Sequence, residues 1–301
     1  MYLEKINSPA DVKKLSSDEM RALAAEMRTA LIKKLSIHGG HCGPNLGMAE
    51  AVIALHYVFD SPADKMVFDV SHQSYCHKML TGRKEAFLDE SKYDDVTGYS
   101  CQHESPHDHF TIGHTSTSVS LACGLAIGRD LNGGKGNVIA IIGDGSLSGG
   151  EALEGLDFAS ELGSNLIIVV NDNGMSIAEN HGGLYENLKL LRESDGKAEC
   201  NLFRAMNLDY VFVKDGNDID QLIAAFRQVK DSTKPVVHTF RTPSRTSNRD
   251  CCDSFQPYFS RVATDGSRAR NALPRWEMAF FSAGSICADV SFSPASTARA
   301  G

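Results

Sequence analysis

The chain has 301 residues, 42% apolar and 23% charged, a balance ordinary for a globular protein and long enough for one large α/β domain or two small ones. A net charge of −8 without a basic cluster argues against a nucleic-acid partner, and no apolar run approaches the roughly 18 residues of a membrane span. The 8 cysteines are scattered without C-x-x-C spacing and the amino terminus lacks a signal-peptide pattern, so neither zinc nor a disulfide frame is indicated and a cytoplasmic location is expected.

A capping box, Ser16 to Glu19, opens an amphipathic helix whose stripe of Met20, Leu23, Met27, Ala30 and Leu31 predicts a core face. Gly39 to Asn45 (GGHCGPN) reads as a loop, in which the residues alone assign His41 no role. Leu46 to Phe59 is strongly apolar and predicts a buried helix. Met66 to Val70 predicts a strand with Ser71-His72-Gln73 at its carboxyl end, where a histidine is either a site residue or a structural hydrogen-bond partner. His77 is expected to pack or cap within the following helix.

His103-Glu104-Ser105-Pro106-His107 matches the H-E-x-x-H zinc pattern literally. That pattern works only on a helix, and Pro106 would break one. The stretch reads instead as a loop that places His103, His107 and His109 over a cofactor or substrate cleft. Gly113-His114-Thr115-Ser116 precedes a helix from Thr117 to Arg129, and amides and hydroxyls before a helix offer an anion site. The small residues Ser120, Ala122, Gly124 and Ala126 permit close packing against a neighbour, a dimer interface included.

The stretch from Ile139 to Met175 organises the chain. Ile139 to Ile142 is a short branched run bounded by glycine, as a buried parallel strand should be. Gly143-Asp144-Gly145 follows, then a helix from Glu151 to Leu162 with Leu153, Leu156, Ala159 and Leu162 on one face. Leu166 to Val170 is a second strand, ending in Asn171-Asp172-Asn173. This βαβ unit sets carboxylate and carboxamide groups at the carboxyl ends of two strands, where open α/β sheets bind ligands. Hard oxygens with little net charge suit Mg²⁺, and glycines flanking Asp144 let the backbone approach a phosphate. The residues therefore read as a Mg²⁺-diphosphate site. A dinucleotide fingerprint is disfavoured: Ser148 stands where its third glycine belongs, and the second strand ends in Asn171 rather than an acidic residue.

The GDG and NDN elements, 28 residues apart from Gly143 to Asn171, resemble the thiamine diphosphate motif of transketolase-type enzymes. The likeness is nearest to the 1-deoxy-D-xylulose-5-phosphate synthases and extends through GGHCGPNLGMAEAVIALHYVFDSPADK, FDVSHQSYCHKMLTGR and FTIGHTSTSVSLACGLA, from about Leu15 to about His238. It implies an α/β thiamine diphosphate-binding fold, a mainly parallel sheet with helices on both faces. It implies further that Asp144, Asn173 and the Met175 carbonyl hold Mg²⁺. His72, Gly113, His114, Thr115, Gly145, Ser146 and Asn173 would contact thiamine diphosphate, and His41 and His72 would be the catalytic residues. Two departures stand out: Cys42-Gly43-Pro44 replaces a serine-containing loop, and Ser71 replaces a glycine.

By this resemblance the full reaction joins pyruvate to glyceraldehyde 3-phosphate with loss of CO₂, giving a precursor for isoprenoid and thiamine biosynthesis. The family needs a pyrimidine-binding domain with a glutamate, for which this chain leaves no length. Another chain is expected to supply it, and a homodimer or heteromer is expected. The alternatives are the amino-terminal subunit of a two-chain transketolase and an inactive truncated fragment.

Helix Leu202 to Leu208, strand Tyr210 to Val213, helix Asp218 to Lys230 and strand Pro235 to His238 complete a domain over residues 1–240. From Arg241 onward there are 8 arginines and no lysine, against 7 arginines and 15 lysines before it. The family's K-G-x-G-Y segment is missing there. Residues 241–301 are expected to be an irregular or disordered tail, read out of frame relative to the family.

Overall fold

Apolar alternation within the strands decides the layers of this protein. The computed structural model describes residues 1–176 and 179–242. Five strands, β1 (Lys65–Phe68), β2 (Val138–Gly143), β3 (Ile167–Asp172), β4 (Asp209–Val213) and β5 (Val236–Arg241), form one parallel sheet in the order β1-β2-β3-β5-β4. The longer helices are α1 (Ser17–His38), α2 (Ala49–Val58), α3 (Ser118–Leu131), α4 (Gly150–Ser160), α5 (Gly183–Glu193) and α6 (Ile219–Val229).

Met66, Phe68, Ile139, Ile141, Ile167, Val169 and Val236 face one way and pack with α1, α2 and α6. Their neighbours Val67, Val138, Ala140, Ile142, Ile168, Val170 and Val237 face the other way, against α3, α4 and α5. A sheet covered on both sides needs continuous apolar strands, and each fully buried branched side chain contributes on the order of 1.5–3 kcal/mol. The expected fold class is therefore observed.

The Ser16–Glu19 capping box forms, and all five stripe residues of α1 are buried. The loop expected over Gly39–Asn45 is shorter than predicted, because a one-turn helix begins at Gly43 with Pro44 in its first turn. β5 runs to Arg241, three residues past the predicted end and one past the expected domain boundary, and the Thr242 amide still donates to the Asp172 carbonyl. The expected tail otherwise lies outside the described residues. Ser120 of α3 packs against α4, where a Cβ on Gly155 would fall 3.0 Å from its Oγ, and Ala122 and Ala126 are buried, while Gly124 is exposed. No helix among the described residues is long and apolar enough to cross a membrane.

Register sets the working edge. Gly143 is level with Asn171, and Asn171 with Phe240. The segments leaving β1, β2 and β3 thus emerge side by side.

Candidate functional site

The segment leaving β1 is the most constrained. Val70 and Ser71 have φ of 54° and 66°, the left-handed region that costs a non-glycine residue on the order of 1–3 kcal/mol. The Ser71-for-glycine exchange is thus larger than the sequence suggested. The buried Ser71 hydroxyl compensates by donating to the Ile112 carbonyl (2.9 Å) and accepting the Ser100 amide (2.8 Å). Beside it, the buried Asp69 carboxylate accepts the amides of Ser116 and Ser118, each at 2.9 Å. This narrows one expectation: the anion at the Ser116 and Ser118 amides is the protein's own Asp69, and of the expected anion site Gly113, His114 and Thr115 remain exposed.

His72 and His41 are brought together, their rings meeting edge to face with centroids 5.4 Å apart. Asn45, fully buried, joins their backbones. Its Nδ2 donates to the His41 carbonyl (2.7 Å) and the His72 carbonyl (2.8 Å), while Oδ1 accepts the Tyr75 amide (2.9 Å). That obligate donor fixes the orientation of the carboxamide. Burial lowers the pKa of His41, so its ring is neutral at pH 7. Tyr75 and Tyr99 approach the ring from two sides.

On β2 and β3 the three polar residues Asn171-Asp172-Asn173 part ways. Asn171 accepts the Thr242 hydroxyl (2.8 Å), and Asp172 is paired with Arg192 at 2.6 Å through both oxygens. Only Asn173 turns past the strand end, where its Oδ1 accepts the Met175 amide (2.9 Å) and Met175 bridges to Glu179. Asp144, 2% exposed, accepts the Asn180 side-chain amide at 3.0 Å. Burial, and then the Asp172 carboxylate, raise the Asp144 carboxyl to about 7. Arg192 is bonded to Asp172, so among the described residues the two carboxylates share that one cation when Asp144 ionises. That is the environment a divalent cation would neutralise, and a carboxylate, a carboxamide and a backbone carbonyl are the hard oxygens Mg²⁺ takes.

Thr115 donates to Ser146 Oγ (2.7 Å) and Ser116 Oγ to the Ser146 carbonyl (2.7 Å), which joins the GHT loop to the GDG turn. Gly113 and His114 are exposed in the same loop. The GDG turn is itself a one-turn helix, Asp144–Leu147. The close approach at Gly145 is made by Ser176: a Cβ there would fall 2.2 Å from the Ser176 hydroxyl oxygen. A side chain at 145 would therefore require the exposed Ser176 side chain to move.

The zinc-like stretch is a loop, as expected, and Glu104 is spent on Lys78 (2.5 Å) and Arg83 (3.1 Å). Among the described residues no group of three or more His, Cys, Asp or Glu side chains could hold a metal. The loop does not place His107 over the cleft: its ring bonds Ser61 in the turn entering β1 (2.8 Å). Burial holds His109 down at about 4. His77 packs as predicted, buried between His56 (2.9 Å) and Asp108 (3.2 Å). Two cavities lie elsewhere, one of about 500 Å³ by Asn207, Tyr210 and Ser232, the other of about 670 Å³ by Leu184, Cys200 and Leu202.

Asn45, Asp69, Asp172 and Asn180 were not singled out from the sequence. For Asp172 a signal existed: it is the middle residue of NDN. The others act through contacts formed only by folding.

The family model for 1-deoxy-D-xylulose-5-phosphate synthase matches residues 3–200. The synthase of Carboxydothermus hydrogenoformans is 41% identical over 271 residues, covering 78% of this chain and 44% of that protein. The synthase of Brevibacillus brevis is 50% identical over 195 residues, 65% of this chain and 31% of that protein. The chain thus spans under half the length of either relative. Transketolases of Campylobacter jejuni (TM-score 0.61, 18% identity, 76% of this chain and 38% of that chain) and Leishmania mexicana (0.56, 18%, 88% and 48%) share the fold. With the family model matching well over half of its residues, this chain belongs to the 1-deoxy-D-xylulose-5-phosphate synthase family.

Proposed function

We propose that residues 1–240 form the diphosphate-side domain of a thiamine diphosphate- and Mg²⁺-dependent enzyme. The observation that carries this is Asp144, a buried carboxylate at the end of β2 beside the Asp172–Arg192 pair, with Asn173 and Met175 just past the neighbouring strand end. In this reading Asp144, Asn173 and the Met175 carbonyl hold Mg²⁺. Gly113, His114, Thr115, Gly145 and Ser146 receive the diphosphate, and His72 and His41 stand at the reacting end. Thiamine diphosphate, when bound, supplies the nucleophilic carbon and the electron sink. The chain's own part is to hold the diphosphate on the Thr115–Ser146 pair and to present two imidazoles fixed by Asn45.

The substrates in this reading are pyruvate and glyceraldehyde 3-phosphate, from the relatives' name. The setting is cytoplasmic, the assembly is a homodimer or heteromer, and a pyrimidine-binding domain completes the site. A two-chain transketolase half would share the cofactor site and differ in acceptor sugar.

Calorimetric titration of thiamine diphosphate into the folded chain, with and without Mg²⁺, tests the proposal. Saturable binding that requires Mg²⁺ and disappears in Asp144→Ala supports it. Binding unchanged in that variant refutes the metal assignment. A chain folded by circular dichroism that binds nothing favours the inactive fragment.

A further inference from the structure

The ring of His41 has two nitrogens, and which one carries the proton decides whether it donates or accepts in the cleft. The structure constrains this through Tyr75. The Tyr75 hydroxyl lies 3.3 Å from the His41 backbone nitrogen, an obligate donor, and so accepts there. The same oxygen lies 3.2 Å from His41 Nδ1. Having accepted the amide, the phenol oxygen is a poor acceptor for a second N–H, whereas its own proton is a good donor to an imidazole nitrogen, so the favoured arrangement directs that proton to a bare Nδ1. The ring proton sits on Nε2, whose partner is the Tyr99 hydroxyl at a looser 3.4 Å.

The hydroxyl is seated too firmly to leave. Tyr75 is 5% exposed, its amide is bonded to Asn45, and its ring packs against Phe87 with centroids 5.7 Å apart. Gly40 makes room for it: a Cβ there would fall 2.9 Å from the Tyr75 oxygen. Tyr99 is 38% exposed and holds Nε2 by the longer bond. The inner contact is built and the outer one is exchangeable.

We propose that Tyr75 is a positioning residue that locks His41 in its Nε2–H tautomer, making the imidazole a hydrogen-bond donor to a carbonyl or hydroxyl oxygen in the cleft. Tyr99 occupies that donor until such an oxygen arrives. The proposal rests on the cofactor-site reading for its catalytic meaning, but the tautomer itself is a property of the cofactor-free chain.

The test is nitrogen NMR of the ¹⁵N-histidine-labelled full chain near pH 8, with the His41 signals identified by their loss in His41→Gln. The expected result is a pyridine-type shift at Nδ1 and a pyrrole-type shift at Nε2. In Tyr75→Phe, which keeps the ring packing, the two shifts should converge toward the tautomer average, while Tyr99→Phe should leave Nδ1 bare. A protonated Nδ1 in the parent chain, or shifts unmoved in a folded Tyr75→Phe, would overturn the proposal. Loss of thiamine diphosphate binding in the parent chain, with the tautomer intact, would instead sink the cofactor reading.

Discussion

Asn45 donates to the backbone carbonyl of His72 across 2.8 Å, a contact between residues 27 positions apart that fixes where that histidine leaves β1. With its bonds to the His41 carbonyl and the Tyr75 amide, the side chain satisfies three backbone groups. Removing it strands them in a dry setting, at roughly 1–3 kcal/mol for each unsatisfied group. Asn45→Ala should lose about 3 kcal/mol or more of stability, read from the midpoint of urea unfolding. A loss under about 1 kcal/mol would show that water replaces the clamp.

Ser71 sets strain against hydrogen bonding. Glycine would release the left-handed backbone cost but lose both hydroxyl bonds, two terms each on the order of 1–3 kcal/mol. Alanine keeps the strain and loses the bonds. The expected order of thermal stability is parent at or slightly above Ser71→Gly, with Ser71→Ala lowest by about 2–4 kcal/mol. Alanine equal to the parent would mean that the Ser71 hydroxyl contributes nothing.

For Asp144 the folded chain holds a carboxyl at about 7 that titrates near 3.8 when unfolded. The folded state then binds the extra proton between those values, so this group costs stability as pH rises through that window, and the cost is complete above 7. Asp144→Asn removes it. The variant should unfold at a higher temperature than the parent at pH 8, by on the order of 2–4 kcal/mol, with little difference at pH 4. It should also lose Mg²⁺-dependent cofactor binding. A less stable variant at pH 8 would contradict the raised Asp144 carboxyl.

His238 gives the opposite slope. It lies on β5 against Phe226, with ring centroids 4.8 Å apart, and neither ring nitrogen has a hydrogen-bond partner among the described residues. Burial lowers it from 6.5 to about 4. The unfolded chain takes the proton first, so the stability tied to a neutral His238 is full above 6.5 and is lost as pH falls toward 4. Replacing it with the non-titrating His238→Phe should flatten the acid limb of a stability–pH curve by on the order of 2–3 kcal/mol. An unchanged limb would place the acid sensitivity elsewhere.

Much of this was open to reading in the chain. β2 and β3 are branched runs closed by glycine or by polar residues, and a sheet buried on both sides requires such runs. The pairing of the GDG and NDN ends follows from one crossover. What stayed hidden depends on turns. Asp69 meets Ser116 and Ser118 only because the intervening loop doubles back, and that same course carries His107 to Ser61 and away from the cleft. Arg192 finds Asp172 from the far end of α5. No period in the sequence encodes these meetings.

The carboxylate of Asp69 in the first turn of α3 has a consequence for how a ligand is received. A loop whose end amides wait for an incoming anion must be ordered by that anion, and the ordering entropy is subtracted from affinity. Here the chain has already closed its own circuit, and Thr115 and Ser146 are paired beforehand. At this loop an arriving molecule, or a second polypeptide laid across it, meets amides and hydroxyls already bonded, and less of its binding energy goes into ordering them.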